Sequence, residues 1–252
     1  MHRILFDIGP FTVYSYGLMV ALGFLLSTFL ILRDSKKFGF SKDDVFDCLI
    51  AILIGGIIGG RILFAVINSE YFIQHPLKVF MLNEGGLAIQ GAIVAAVLAG
   101  ILIARIKKLP FWKCSDLIVP YIALGQAIGR IGCFLNGCCY GREAGSALAV
   151  TFPGDTVARI PVQIYSSISL ILIFMVLLSL RDKRPFDGYL FVMYLVLYSF
   201  FRFFMDFFRG DDLASWGGMT LSQLISIGMF SCGTIIFFVL WIGSKKKKQE
   251  TA

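Results

Sequence analysis

Long apolar runs separated by short polar segments dominate the pattern of residues along this chain. Seven runs reach the roughly 20 residues that an α-helix needs to cross a bilayer, at residues 12–32, 44–67, 86–106, 111–134, 161–180, 189–208 and 218–243. The fourth run is the most interrupted, because it contains Asp116, Pro120, Gln126 and Arg130. A membrane helix tolerates such residues where it faces protein or water instead of lipid. The pattern predicts an all-α, polytopic membrane protein with a single transmembrane domain over residues 1–252.

Composition and charge agree with a membrane protein and argue against a nucleic-acid-binding one. Hydrophobic residues make up 58% of the 252 residues and charged residues only 15%, far from the usage of soluble domains. The net charge of +7 comes from basic residues that cluster in short loops between the apolar runs. Such clusters commonly contact anionic headgroups. We therefore expect membrane lipids, and no nucleic acid, as partners.

The basic loops also predict an orientation. They follow the first, third, fifth and seventh runs, at residues 33–42, 105–113, 181–184 and 245–248. Because basic loops stay in the cytoplasm, the N-terminus is predicted outside and the C-terminus inside. The first run is long enough to span the bilayer and follows no basic segment, so we expect no cleaved signal peptide.

Arg130 is the most informative polar residue within an apolar run. It lies near the end of the fourth run and precedes a turn that contains Asn136, Gly141 and three cysteines. A cation at membrane depth is costly to keep, so it usually faces a polar cavity and a partner. The glycines allow a close approach of backbone or ligand. This segment predicts a lipid- or anion-binding site near the outer face of the membrane.

Further polar residues fall within or beside the other runs. Arg202 and Asp206 lie four residues apart, so they can pair on one helix face, and we expect a functional role for Arg202. A boundary salt bridge is expected for Arg209 and Asp211. Arg61 lies among glycines that favour close helix packing, and its expected partner is Glu70, Asp206 or a ligand phosphate. Interhelical hydrogen bonds are expected for Gln126 and Gln223. Five polar residues are expected to lie together toward the outer half of the membrane: Tyr16, Gln90, Arg130, Gln163 and Arg202.

Cys133, Cys138 and Cys139 allow three interpretations: metal ligands, a disulfide, or packing. Their spacing departs from that of zinc sites, and adjacent cysteines do not easily ligate one tetrahedral ion. Cysteine is also a small, hydrophobic residue that packs well. We therefore expect packing, with no metal and no cofactor. His2 and His75 are the only histidines, which gives no support to a hydrolytic triad.

The motifs resemble those of the bacterial prolipoprotein diacylglyceryl transferases. The longest is GRIGCFLNGCCYG at residues 129–141, and shorter ones occur in the same order as in the family along nearly the whole chain: YGLM at 16–19, GGR at 59–61, EGGL at 84–87, PVQIY at 161–165, RFFMDFFR at 202–209 and SQL at 222–224. Each motif is weak alone, whereas the set is specific. The family has seven spans and an outside N-terminus, as the loops of this chain independently predict.

The resemblance implies transfer of the diacylglyceryl group from phosphatidylglycerol to the lipobox cysteine thiol of prolipoproteins. It implies a multi-pass protein of the bacterial cytoplasmic membrane with its active site toward the outer face. The implied catalytic residues are Arg202, Tyr16 and Gln90. The implied phosphatidylglycerol-binding residues are Arg130, Asn136, Gly141 and Arg61.

The chain departs from the family pattern at several of these positions. Gln90 stands where well-known members have His, and an amide is not a general base at neutral pH. Cys133 and Cys138 stand where Asn and an acidic residue are common, Asp206 replaces Glu, and Ser166 stands where Glu often occurs. The base therefore stays open between Tyr16 and bulk water. Two alternatives follow: a lipid-binding protein without transferase activity, and a small transporter, which the gathering of polar residues on the outer side disfavours.

Overall fold

A computed structural model describes residues 3–8, 11–81, 85–145, 148–210 and 215–250. His2, Glu84 and Asp211, which the sequence analysis includes, lie outside these ranges. The chain forms two compact units, one of Met1–Leu30 with Ser115–Ala252 and the other of Ile31–Cys114.

Helices dominate both units. Within the described residues, seven of them are long and apolar enough to cross a membrane, which confirms the predicted all-α class with seven spans. The helices are α1 Ser15–Asp34, α2 Lys42–Ile67, α3 Ser69–Gln74 (a short one), α4 Ile89–Ile106, α5 Phe111–Asn136, α6 Val162–Leu180, α7 Tyr189–Asp206 and α8 Leu221–Glu250. The described residues also form three antiparallel two-stranded sheets: β1 Ile4–Ile8 with β2 Phe11–Tyr14 before α1, β3 Val150–Thr151 with β4 Ala158–Arg159 between α5 and α6, and β5 Ser215–Trp216 with β6 Met219–Thr220 before α8.

Three helices, α1, α4 and α8, begin three residues later than the apolar runs suggest, and at α1 and α8 the later start has a local cause. Residues 11–14 form β2, so α1 begins at Ser15, whose backbone N–H donates to the Arg3 carbonyl at 3.0 Å. At α8, the Gln223 N–H donates to the Thr220 hydroxyl at 3.1 Å, and the Thr220 N–H donates to the Gln223 side chain at 2.9 Å. This reciprocal pair is a capping box. The expected interhelical role of Gln223 is therefore wrong.

In the unit of residues 31–114, glycines let α2 and α4 pack closely. A Cβ added to Gly59 would lie 2.1 Å from the Ala95 Cβ, and one added to Gly55 would lie 2.7 Å from the Ala99 Cβ. Gly91 in turn contacts the backbone of Gly59. Without a hydrophobic driving force in lipid, close packing of small residues is a main source of helix association. The prediction of close packing around Gly59 is confirmed.

In the other unit, α5 contacts α1, α6 and α7. The Ser27 hydroxyl of α1 donates to the Tyr121 carbonyl at 2.8 Å, and Gly23 approaches Gly125. The Ser167 hydroxyl of α6 donates to the Ala127 carbonyl at 2.9 Å. A buried core joins α5, α6 and α7 through Val119, Ala123, Ile173, Leu177, Leu190 and Tyr194.

The polar residues that interrupt α5 have partners on α7. Both oxygens of the buried Asp116 carboxylate accept backbone N–H bonds, from Gly188 at 2.8 Å and from Phe191 at 3.0 Å. A carboxylate at this position satisfies the free N–H groups at the start of α7 and complements the helix dipole. Gln126 accepts a hydrogen bond from the Tyr194 hydroxyl at 2.8 Å, which confirms its interhelical role.

Candidate active site

Tyr16 and Arg130 come together where α1 crosses the end of α5. A Cβ added to Gly132 would lie 2.9 Å from the Met19 Cβ and 3.4 Å from the Tyr16 Cα, so glycine sets the separation of these helices. Tyr16 is 44% exposed and interacts electrostatically with Arg130. Arg130 is partly buried, six residues before the end of α5, or about 9 Å along the helix axis.

Arg202 joins the same site from α7. Its guanidinium interacts electrostatically with Arg130 and with Arg209. The charges of Arg130 and Arg209 each act against that of Arg202, and an anion bound beside Arg202 would reduce this repulsion. The boundary salt bridge expected between Arg209 and Asp211 involves a residue outside the described ranges, and the charge of Arg209 acts on Arg202 as well. The arrangement is suited to a phosphate, which guanidinium groups bind with two parallel hydrogen bonds.

Asp206 and Ser222 hold Arg202 in place. The Arg202 Nη2 lies 3.6 Å from a carboxylate oxygen of Asp206, one turn along α7, as the spacing predicts. The same nitrogen donates to the Ser222 hydroxyl of α8 at 3.2 Å. The Asp206 carboxylate is buried and also accepts from the Thr220 hydroxyl. The capping box of α8 and the ion pair of α7 therefore both hold the Arg202 side chain in place.

Gly141 seats the loop after α5 against the end of α7. A Cβ there would lie 2.5 Å from the Phe208 carbonyl and 2.8 Å from the Ile160 carbonyl, so only glycine fits. The Gly141 N–H donates to Ile160 at 2.9 Å, and the Arg142 N–H donates to Phe208 at 2.9 Å. This packing contact is the role that the described structure gives to Gly141.

Charged residues further along fasten the same loop. Arg159 pairs with Asp155, lies 3.7 Å from a Glu143 oxygen, and stacks over the Tyr140 ring at 4.9 Å. The hydrogen bond from Arg159 lowers the pKa of Asp155. These contacts fix the conformation of the loop and thereby position its cysteines.

Cys133, Cys138 and Cys139 converge beside Arg130. Their three sulfur atoms all lie within 4.8 Å of one another. Gly137 and Cys139 both have left-handed backbones, with φ of 71° and 61°, and this turn brings adjacent cysteines to the same place. The sulfurs of the adjacent Cys138 and Cys139 thus lie close together, although adjacency alone argued against a shared ion. Hydrogen bonds from the Cys133 and Cys139 thiols lower the pKa of the Cys138 thiol.

Two amides support the cysteine turn. The buried Gln163 of α6 donates to the Cys138 carbonyl at 2.7 Å. The Asn136 side chain hydrogen-bonds the Cys138 thiol, and Arg130 adds its charge to the same group. Asn136 and Arg130, which the sequence analysis assigned to phosphatidylglycerol, thus both interact with Cys138. The contact of Gln163 was missed because its partner is a backbone carbonyl in an irregular turn.

Arg61, in the unit of residues 31–114, has a structural role. It is buried, and its guanidinium donates to five carbonyls, of Lys78 (2.5 Å), Val79 (2.7 Å), Met81 (2.9 Å), Gly85 (2.5 Å) and Gly86 (3.0 Å). A guanidinium has five N–H donors, so these bonds leave none for a phosphate. The expected phosphate contact of Arg61 is replaced by a positioning role. Gln90 is exposed on the first turn of α4, just after this loop.

The chain matches known proteins along nearly its full length. A family model described as prolipoprotein diacylglyceryl transferase matches residues 3–239. The chain belongs to this family. A phosphatidylglycerol–prolipoprotein diacylglyceryl transferase 2 from Clostridium perfringens is 35% identical over 255 residues, which cover 99% of this chain and all of the relative. A relative from Clostridium tetani is 35% identical over 242 residues (94% and 97% covered), and one from Geobacter sulfurreducens is 35% identical over 239 residues (91% and 92% covered). Both carry the name phosphatidylglycerol–prolipoprotein diacylglyceryl transferase.

Proposed function

We propose that this chain transfers the diacylglyceryl group of phosphatidylglycerol to the lipobox cysteine thiol of prolipoproteins. The observation that carries the proposal is the cluster of Arg130, Arg202 and Arg209 at one end of α5 and α7. Family membership and the names of the relatives support the same reaction. The cluster gives that reaction a physical basis, because a phosphodiester enters the site and a more highly charged phosphate leaves it.

The reaction places a specific electrostatic demand on the site. The thiolate sulfur of the substrate attacks the glycerol carbon that bears the phosphate, a C–S bond forms, and the C–O bond breaks. The electron pair of that bond moves to the phosphate oxygen, and glycerol phosphate departs with one more negative charge than the bound phosphodiester. Fixed cations at the departing oxygen lower the barrier, since charge develops there in the transition state.

The residues divide this work by their positions. Arg130 binds the phosphodiester, and Arg202, fixed by Asp206 and Ser222, stabilises the charge that grows on the leaving group. Tyr16, beside Arg130, is proposed to hydrogen-bond the substrate thiol, and bulk water to accept the thiol proton, because a phenol is not ionised at neutral pH. Asn136, whose side chain hydrogen-bonds the Cys138 thiol, is proposed to donate a hydrogen bond to the phosphate.

Gln90 is proposed to orient substrate by hydrogen bonding, because its amide does not take up a proton at neutral pH. Arg61 supports the loop before it. The proposal for Gln90 rests on its motif and on its exposed position at the start of α4.

The chain is a multi-pass membrane protein by its seven apolar helices. Its proposed location is the bacterial cytoplasmic membrane, with the arginine cluster toward the outer face. The alternation of basic loops supports that orientation through the positive-inside rule. Prolipoproteins with a lipobox cysteine and phosphatidylglycerol are the proposed substrates.

Complementation tests this proposal. The chain is expressed in a bacterial strain whose own transferase is depleted, and a reporter prolipoprotein is followed by mass spectrometry. We expect growth to be restored and the reporter to gain the mass of one diacylglyceryl group. A reporter with Ser in place of the lipobox cysteine is the control. An unmodified reporter in cells that accumulate the chain in their membranes would instead support the lipid-binding alternative.

A further inference from the structure

The three-cysteine turn after α5 is a compact sulfur site next to the proposed reaction centre. The Cys133, Cys138 and Cys139 sulfurs lie within 4.8 Å of one another. Thiolates that bind one Zn²⁺ at about 2.3 Å in a tetrahedron lie about 3.8 Å apart. The sulfurs therefore need to approach one another by about 1 Å at most to share one ion.

The chemistry of three sulfurs selects a soft ion, and the coordination number indicates an open site. Thiolates favour Zn²⁺ and Cu⁺ over the hard cations that prefer oxygen. Structural zinc sites have four protein ligands, whereas catalytic ones have three and keep one position for water or substrate. Among the residues that the structure describes, three sulfurs meet at this point.

The charge balance also suits Zn²⁺. Three thiolates and one Zn²⁺ carry a net charge of −1, which would be costly to keep near membrane depth without a cation. Arg130 interacts electrostatically with all three thiols. Asn136 and Gln163 hold the turn through the Cys138 thiol and carbonyl, so the cluster has the supporting hydrogen bonds that orient metal ligands.

We infer that Cys133, Cys138 and Cys139 bind one Zn²⁺, whose open position takes the thiol of the incoming lipobox cysteine. The inference rests on the proposed function for the identity of that thiol. A thiol loses its proton when it coordinates Zn²⁺, and that proton passes to water. The bound thiolate then attacks the lipid carbon as described above, and no oxidant or reductant takes part. The metal would supply the thiol activation that Gln90 cannot supply as a base.

Metal analysis of the purified, reduced full-length chain in detergent tests the binding site. We expect about one Zn²⁺ per chain, retained by Cys232→Ser, which removes an exposed cysteine of α8 outside the cluster. The triple variant C133S/C138S/C139S is expected to lose the ion while it accumulates in the membrane. Folded wild type that binds no more Zn²⁺ than the triple variant would overturn the inference. So would a disulfide among these cysteines in protein that transfers lipid.

Co²⁺ in place of Zn²⁺ separates this inference from the proposed function. The intensity of the thiolate-to-Co²⁺ charge-transfer absorption is expected to increase when a lipobox peptide is added. It is expected to stay constant with the same peptide carrying Ser for Cys. An equal response to both peptides would overturn substrate coordination. A response to the cysteine peptide alone, without any lipid transfer by the Zn²⁺ form, would refute the proposed function and leave the metal site standing. Full transfer activity after complete removal of Zn²⁺ would overturn the catalytic role of the ion.

Discussion

At the scale of single residues, arginines in this chain differ in what occupies their N–H groups. Arg61 donates to five carbonyls and thereby fixes a loop. Arg202 contacts Asp206 and Ser222 through Nη2 and interacts with two further arginines. A guanidinium whose N–H groups are all taken by backbone carbonyls is a structural element, whereas Arg202 makes one ion pair and lies among like charges that favour a further anion. On this difference we propose that Arg130 and Arg202 bind the phosphate.

Substitution of Arg130 tests that assignment. Arg130→Ala is expected to lower the rate of lipidation by about 10²–10³-fold, the usual cost of removing one group that stabilises developing charge. Arg130→Lys keeps the charge and loses the two-pronged geometry, so an intermediate rate is expected. Lipidation is measured in membranes that contain equal amounts of each protein. Near-normal activity of Arg130→Ala would falsify its phosphate role, and loss of the protein itself would indicate a folding role instead.

At the scale of elements, glycines determine how closely the helices approach. Gly55, Gly59 and Gly91 bring α2 and α4 together, and Gly132 brings α1 to α5 beside Arg130. Close approach increases van der Waals contact between the helices. In lipid the hydrophobic effect does not drive helices together, so this contact is a main source of their association. The position of Tyr16 relative to Arg130 therefore depends on Gly132, which has no side chain.

Gly59→Val tests the packing of α2 on α4. A Cβ at this position would lie 2.1 Å from the Ala95 Cβ and 2.6 Å from the Gly91 carbonyl. Such overpacking is expected to cost about 1–3 kcal/mol or more, seen as a lower midpoint of thermal unfolding in detergent. Gly228→Val is the matched control, because a Cβ there meets nothing within 4 Å, and it is expected to stay close to the wild-type midpoint. Equal midpoints for both variants would contradict the packing account.

The sequence predicts the helices well and their ends and partners less well. Hydrophobic runs are long enough to give seven helices, because the bilayer demands that length. The start of α8 carried a readable signal, since Thr220 and Gln223 have the spacing of a capping box. The partners of Arg61 and the turn at Cys139 had no such signal, because irregular backbone makes both. Arg61 and Gln163, which contact backbone carbonyls of distant loops, were therefore misassigned and missed respectively.

At the scale of the whole molecule, the distribution of basic residues determines the proposed orientation. Clusters of them follow α1, α4, α6 and the apolar part of α8. Lys107 also pairs with Asp44 at 3.2 Å and with Asp47 at 2.5 Å, near the start of α2. The ends of α2 and α4 that meet there are therefore proposed to face the cytoplasm.

Reporter fusions test the orientation. Fusions after Lys37, Lys108, Arg184 and Lys248 are expected to report a cytoplasmic location, since each follows a basic loop that the positive-inside rule retains there. A fusion after Gly145 is expected to report the outer side. Outer-side signals at any two of the four cytoplasmic positions would overturn the arrangement.

The arginine cluster is proposed to bind phosphatidylglycerol for transfer of its diacylglyceryl group to a cysteine thiol. The most direct measurement uses the purified chain, phosphatidylglycerol and a lipobox peptide, with both products followed by mass spectrometry. The expected products are a peptide that carries one thioether-linked diacylglyceryl group and an equal amount of released glycerol phosphate, with neither product from the peptide that has Ser for Cys. Folded protein that binds phosphatidylglycerol and yet forms neither product with the cysteine peptide would contradict the account.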